Sequence, residues 1–105
     1  MEAILVISNL PDRDSAEKLA ALLVEQHLAA CVNLLAPCTS VYRWQGKVET
    51  ANEIPVLIKT TRERYAALES AIRAHHPYEL PEIIAVSLSA GLPAYLEWIK
   101  TETAL

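Results

Sequence analysis

The chain has 105 residues, enough for one hydrophobic core, so we predict a single domain over residues 1–105. Its net charge of -4 argues against a nucleic-acid partner, and its two glycines exclude the glycine-rich phosphate loops of the Walker and dinucleotide types. No apolar run approaches the roughly 18 residues that span a bilayer, and the N-terminal sequence does not resemble a signal peptide. We therefore expect a cytoplasmic protein without a membrane partner.

The first predicted elements are a strand and an amphipathic helix. Residues 3–8 form a continuous apolar run, a pattern typical of a strand buried on both faces. Asp14 and Glu17 have the spacing of a capping box at a helix start. Apolar residues then recur at helical spacing, with His27 on the inward side, which predicts a helix to about Leu28.

A long β-hairpin is predicted next. Residues 30–44 and 47–60 have the composition of strands, and Gln45-Gly46 between them fits a two-residue turn in which glycine supplies a positive φ. Pro37 interrupts the first arm. Pro55 removes a hydrogen-bond donor from the second arm, which indicates a sheet edge or a bulge.

The last part of the chain contains two further helices and a strand. Thr60 and Glu63 are spaced as a second capping box, and the helix after them ends before Pro77. Residues 82–88 form a fourth predicted strand, and a last helix begins near Pro93. The residues predicted to face the core from these two helices are Tyr65, Leu68, Ile72, His75, Tyr95, Leu96 and Ile99.

The predicted order βαββαβα fits an α+β fold of the ferredoxin-like type, with a four-stranded antiparallel sheet and a C-terminal helix. Helices of about 15 residues are roughly 22 Å long, whereas hairpin arms of about 14 or 15 residues reach roughly 48 Å. The distal half of the hairpin should therefore protrude, although a two-stranded ribbon is at most marginally stable in water. We predict that another copy of the chain covers it.

The register of the hairpin places four side chains on one of its faces. With Gln45-Gly46 as the turn, the residues on this face are Tyr42, Trp44, Lys47 and Glu49. We interpret this face as cross-strand packing plus a subunit interface. The alternative is a small-molecule pocket lined by Tyr42 and Trp44.

The two cysteines, Cys31 and Cys38, lie in one extended stretch. Their separation of roughly 23 Å is too long for a disulfide, whose Cα atoms are about 4.4 to 6.8 Å apart, so we expect both to be reduced, as in the cytosol. Cys31 has apolar neighbours and is predicted to be a small buried hydrophobe. Cys38 is predicted to be exposed.

The segment His75–Glu82 combines two adjacent histidines with two prolines. Pro77 disfavours a helical backbone at His76, so this histidine should leave the helix and enter a rigid loop. Imidazole nitrogens bind Cu(II) and Zn(II), although histidines at a helix C-terminus also interact favourably with its dipole. Adjacent helical side chains point about 100° apart, so a shared ion requires Pro77 to redirect His76. Glu82 or a second chain would complete the shell.

Four stretches together resemble the CutA divalent-cation tolerance family: residues 29–33 (AACVN), 40–49 (SVYRWQGKVE), 58–61 (IKTT) and 75–84 (HHPYELPEII). The resemblance covers nearly the whole chain. It implies a ferredoxin-like fold, a tight homotrimer built through the hairpins, a cytoplasmic location in bacteria, and a role in tolerance of copper and other divalent metals. It also implies an architecture like that of the PII signalling proteins, which bind effectors in clefts between subunits.

The resemblance also suggests where the sites lie. It implies metal ligation by His75 and His76, and in some members by a cysteine at a position occupied here by Ser8. Losing that thiolate removes the soft ligand that most favours Cu(I). The trimer interface is predicted at Tyr42, Trp44 and Glu49. The intersubunit cleft is predicted at Cys31, Lys59, Tyr78 and Glu82, where the residues alone favour an ion pair between Lys59 and a glutamate.

Three functions are compared. We predict a non-enzymatic trimer that binds copper or another divalent metal ion. The alternative is a PII-like module that takes a small anionic effector in the intersubunit cleft. An enzyme using Lys59, Tyr78 and Glu82 is the third, and the absence of Ser-His-Asp, Cys-His and HExxH arrangements argues against it.

Overall fold

The computed structural model describes residues 2–104, which form an antiparallel sheet and three α-helices and confirm the α+β class. None of these helices is both long and apolar enough to span a bilayer. In chain order the elements are β1 (Ala3–Leu10), α1 (Arg13–Glu25), β2 (Cys31–Leu34), β3 (Cys38–Trp44), β4 (Lys47–Thr61), a 3-10 turn (Arg62–Arg64), α2 (Tyr65–His75), β5 (Ile84–Ser87) and α3 (Pro93–Glu102). The sheet has the order β2-β4-β1-β5, and β3 pairs with β4 beyond the end of β2. It therefore has five strands rather than the predicted four, because the first arm of the hairpin is divided into β2 and β3.

The two faces of the sheet are buried to different extents. The buried positions of β1 alternate with half-buried ones, so the prediction that this strand is buried on both faces holds for one face only. The core contains apolar side chains of that face together with those of α1 and α2. We call the other face the open face. Directly paired residues share a face, and the members of the open face include Leu5, Ile7, Cys31, Cys38, Glu53, Leu57, Lys59, Ile84 and Val86.

The N-cap of helix α1 lies two residues earlier than predicted. Asp12 is the N-cap, and its carboxylate accepts a hydrogen bond of 2.8 Å from the Ser15 backbone N–H. The capping box predicted at Asp14 is wrong, because the chain offers a better-placed acceptor at Asp12. The helix ends at Glu25 rather than at about Leu28.

His27 lies just beyond this helix, with a positive φ of 59°. It is exposed, so its predicted inward position is wrong. The Leu28 N–H donates to the Leu23 carbonyl, and the His27 N–H to the Val24 carbonyl. This is a Schellman motif, which normally favours glycine where His27 stands.

The second predicted capping box is also wrong. Thr60 lies inside β4, and its hydroxyl donates a 2.7 Å hydrogen bond to the Leu28 carbonyl instead of capping a helix. The chain passes through a 3-10 turn before α2 begins at Tyr65. Of the residues predicted to face inward from α2 and α3, Leu68, Ile72 and Ile99 are buried, Tyr65 and Leu96 are half-buried, and His75 and Tyr95 are exposed.

The hairpin has the predicted turn and register. Gln45 and Gly46 both have positive φ angles, of 50° and 81°, and Trp44 pairs with Lys47. Val41 and Val48 keep 67% and 65% of their surfaces exposed. In the described part of the chain, β3 pairs with no strand other than β4.

Pro55 lies inside β4, a central strand, rather than at an edge. Its carbonyl accepts a 3.0 Å hydrogen bond from the Leu35 N–H, so its missing N–H points to the same side, toward the gap between β2 and β3. That gap contains Pro37, the interruption predicted in the first arm. The two prolines therefore lie where the sheet needs no ladder donor.

Candidate functional site

The two histidines at the end of α2 have different surroundings. His76 is buried and has left the helix, with an extended backbone (φ −86°, ψ 134°), as Pro77 predicts. Its Nδ1 atom accepts a 3.1 Å hydrogen bond from the Tyr78 N–H, which places the ring proton on Nε2. Nε2 lies 2.7 Å from the Asn9 carbonyl and donates to it. Both nitrogens of His76 are therefore engaged within the chain.

His75 is exposed and keeps one nitrogen available. Its Nδ1 lies 2.9 Å from the Ala71 carbonyl, which can only accept, so Nδ1 carries the proton of the neutral ring. The lone pair of Nε2 faces no partner found in residues 2–104. Of the two histidines predicted as metal ligands, only His75 has a free nitrogen in this conformation.

Within residues 2–104, no three histidine, cysteine or acidic side chains lie close enough together to hold one ion. Glu82, the residue expected to complete a shell with the histidines, instead accepts a 2.8 Å hydrogen bond from the Asn9 side-chain amide. Ser8 is fully buried, and its hydroxyl has no hydrogen-bond partner in this part of the chain. A shared ion between His75 and His76 therefore does not fit the geometry of one chain.

Tyr78 lies at the other side of His76, with the two ring centroids 4.8 Å apart. Burial and the neighbouring Glu53 carboxylate raise the pKa of Tyr78 to about 12. Glu53 comes from β4 and is only 9% exposed. Glu53 was not among the predicted site residues, because in sequence it resembles the solvated glutamates of the hairpin apart from its position next to an apolar run.

Lys59 lies elsewhere on the open face, where it pairs directly with Cys31 of the neighbouring strand β2. Its ammonium group is 3.3 Å from the hydroxyl of Tyr95 in α3 and 5.6 Å from the centre of that ring. The expected ion pair between Lys59 and a glutamate is not formed: residues 2–104 contain two ion pairs, Lys18–Asp14 and Arg62–Glu2.

The predicted cleft residues thus form two groups in one chain. Cys31 and Lys59 are neighbours in paired strands, whereas Glu82 is hydrogen-bonded to the Asn9 side chain and Tyr78 is linked to the Asn9 carbonyl through His76. Asn9 is four residues along β1 from Leu5, the partner of Lys59, a distance of roughly 13 Å. One chain alone does not bring the two groups together.

The remaining predicted site residues lie in the hairpin and in β2. Tyr42 is exposed and pairs with the exposed Glu49, and Trp44 is half-buried beside the turn. Both cysteines are free, and both are half-buried. The predictions of a buried Cys31 and an exposed Cys38 are therefore wrong, because both side chains lie on the open face.

Comparison with known proteins identifies the family. The family model of the CutA1 divalent ion tolerance protein matches residues 4–102. The chain is 41% identical over 103 residues to the divalent-cation tolerance protein CutA of Thermus thermophilus, covering 98% of this chain and 99% of that relative. The chain therefore belongs to the CutA divalent-cation tolerance family, as its sequence motifs predict.

Solved structures agree with this assignment. The crystal structure of CutA from Xylella fastidiosa superposes with a TM-score of 0.96 at 49% identity, over 99% of this chain and 100% of that chain. CutA1 from Oryza sativa superposes with a TM-score of 0.96 at 38% identity, over 99% and 95% of the two chains.

Proposed function

We propose that this chain acts as a cytoplasmic homotrimer that binds copper or another divalent metal ion and takes part in the response to metal ions, without catalysing a reaction. The observation that carries the proposal is membership of the divalent-cation tolerance family over residues 4–102. The strand order and the packing of α1 and α2 on one face support a ferredoxin-like arrangement.

The open face supports the trimer. Its apolar side chains include Ile84 and Val86, which leave 51% and 49% of their surfaces in water. These two lie beside half-buried Leu5 and Ile7, so an apolar sheet face is incompletely covered by its own chain. Contiguous apolar surface of this kind marks protein interfaces. Analytical ultracentrifugation tests the proposal, with a mass three times that of the chain expected.

The metal proposal rests on His75. Its Nε2 atom is exposed and free, and imidazole is a good ligand for Cu(II) and Zn(II). Further ligands would come from other copies or from water, because His76 is already engaged. Binding at such a site should be weaker than at a preassembled chelate.

Calorimetric titration with Cu(II) tests this site. We expect His75→Ala to lower the affinity and His76→Ala to change it only through the loop. His27→Ala is the matched control, because His27 is also exposed and places its Nδ1 2.9 Å from a helix-end carbonyl, that of Glu102. Equal affinity of the wild type and the His75→Ala/His76→Ala protein would contradict ligation by these histidines.

A second candidate function is binding of a small anionic effector in a cleft between subunits, as in PII-like modules. The specific observation is Lys59, whose half-buried ammonium contacts only a tyrosine among the polar groups of residues 2–104. Thermal-shift measurements across a panel of anionic metabolites test it. A stabilising ligand whose effect survives Lys59→Ala would contradict the assignment to this lysine.

The cytoplasmic location is supported by two free cysteines, which a reducing compartment preserves. Relatives are named for other compartments: one from Arabidopsis thaliana as chloroplastic, and one from Archaeoglobus fulgidus as periplasmic. Cell fractionation of the source organism tests the location, and recovery in a membrane or extracellular fraction would contradict it.

A further inference from the structure

The open face contains a buried acidic side chain that has no cationic partner in residues 2–104. Glu53 is 9% exposed, although its side chain is a carboxylate, and it takes part in neither of the two ion pairs found in residues 2–104. Tyr78 is its polar neighbour, and a phenol does not neutralise a charge. Buried charges are normally paired, because removing an ion from water is costly.

The same face contains a lysine that has no anionic partner in residues 2–104. Lys59 is half-buried, and its ammonium group contacts the hydroxyl and the ring of Tyr95. Because this tyrosine is neutral, it does not compensate the positive charge of Lys59. Other cations of β3 and β4, such as Arg43 and Lys47, are exposed to water and need no partner. Lys59 would lose its remaining water if another copy covered the open face.

Glu53 and Lys59 cannot neutralise each other within one chain. Both lie in β4, on the same face of the sheet, six residues apart. This separation is roughly 20 Å in an extended strand, whereas ion pairs form within about 4 Å. Within residues 2–104, therefore, neither charge has an ion-pair partner, and a second copy of the chain can supply one for each.

We propose that Glu53 of one copy pairs with Lys59 of the next copy in the assembled trimer, so that each intersubunit cleft contains one such ion pair beside Tyr78. The proposal rests on the trimer of the proposed function and adds the residues that complete its interface. In a closed ring the contacts are head-to-tail, so every copy presents Glu53 to one neighbour and Lys59 to the other. One surface with two opposite unpaired charges suits this symmetry.

The pair also has a consequence for ligand binding. An anionic effector at Lys59 would have to displace the Glu53 carboxylate, whereas a cation would compete with Lys59 for Glu53. Metal binding and effector binding would therefore both break the Glu53–Lys59 ion pair. The cation would take the place of Lys59, and the anion that of Glu53.

Charge reversal tests the pair through the trimer–monomer equilibrium measured by ultracentrifugation. Glu53→Lys and Lys59→Glu each place like charges at every interface, and we expect each to weaken assembly by roughly thirtyfold or more. The double variant restores opposite charges, and we expect it to recover most of the loss. Because the two residues cannot meet in one chain, recovery reports contact between copies. Glu17→Lys and Arg73→Glu, at exposed helix positions, are the matched controls, with no change expected.

A second measurement needs no variant. Trimers assembled from a mixture of ¹⁴N- and ¹⁵N-labelled chains are treated with a carbodiimide, which joins a carboxylate directly to a contacting amine. A mixed-isotope cross-link between Glu53 and Lys59, found by mass spectrometry, supports the pair even if the reversed variants fail to fold. A wild-type trimer with neither this cross-link nor recovery in the double variant overturns the pair and leaves the trimer intact. A monomeric wild type overturns both.

Discussion

The Nε2 atom of His76 lies 2.7 Å from the carbonyl oxygen of Asn9, so the residue that follows α2 is hydrogen-bonded to the penultimate residue of β1. Nδ1 of the same ring accepts from the Tyr78 N–H and holds the start of the loop. The amide of Asn9 then reaches Glu82, beyond the same loop. His76 is thus the link that positions Tyr78 beside the open face, a structural role rather than a ligand role.

Replacing His76 should therefore affect stability more than metal binding. We expect His76→Ala to lower the free energy of unfolding by about 2 kcal/mol, because it removes a buried ring and two hydrogen bonds. His75→Ala, at an exposed position, should change it by less than about 0.5 kcal/mol. Urea unfolding at one fixed protein concentration measures both, since oligomer stability depends on concentration. Equal losses in the two variants would contradict the link.

We expect the removal of two buried hydroxyl groups to change the stability of the protein in opposite directions. The Ser8 hydroxyl is buried without a partner in residues 2–104, so Ser8→Ala should stabilise the protein by about 1 kcal/mol. The Thr60 hydroxyl donates a 2.7 Å hydrogen bond to the Leu28 carbonyl, so Thr60→Val should destabilise it by about 1 kcal/mol. Thermal and urea unfolding of both variants check the signs. Destabilisation by Ser8→Ala would indicate that the hydroxyl has a partner.

The elements that sequence predicted best were those set by local chemistry. Gln45-Gly46 identified the turn and its register, because few dipeptides tolerate two positive φ angles. The helix starts were predicted less well. Several acceptors lie near the start of α1, and the choice of Asp12 over Asp14 depends on where β1 ends. Thr60 resembles a cap in sequence, but tertiary structure uses it inside β4.

The candidate site could be predicted only in part, because its members are far apart in sequence. His76 was correctly predicted to leave the helix, yet its engagement with Asn9, 67 residues away, has no local signal. Glu53 belongs to a largely polar stretch of the hairpin, residues 49–53, and its burial becomes evident only from its packing near Tyr78. A charged residue next to the apolar run 54–58 was the one available hint.

The pKa of Tyr78 predicts a loss of stability at alkaline pH. Burial and Glu53 raise this pKa to about 12 from the usual value of 10.0 for tyrosine. The folded state thus keeps the phenolic proton where the unfolded chain releases it. The resulting contribution to stability is complete below pH about 10 and is lost as the pH rises to about 12.

Unfolding measurements on the wild type and Tyr78→Phe between these pH values check this expectation. The wild type should lose stability more steeply than the variant, and tyrosinate absorbance should lose its most alkaline component in Tyr78→Phe. Parallel loss of stability in the two proteins would contradict a raised pKa at this position.

The hairpin turn offers a stabilising substitution. Gln45 has a φ of 50°, a left-handed conformation that costs a residue with a β-carbon roughly 1 kcal/mol and that asparagine tolerates better. We expect Gln45→Asn to raise the free energy of unfolding by about 0.5 kcal/mol. Gly46→Ala is the matched control: a β-carbon there meets no atom within 4 Å, so its expected loss of about 1 kcal/mol comes from the backbone alone. If neither substitution changes the free energy measured by urea unfolding, the hairpin tip opens before the rest of the protein unfolds. Hydrogen exchange of the β3 amides would then show opening well below the global free energy.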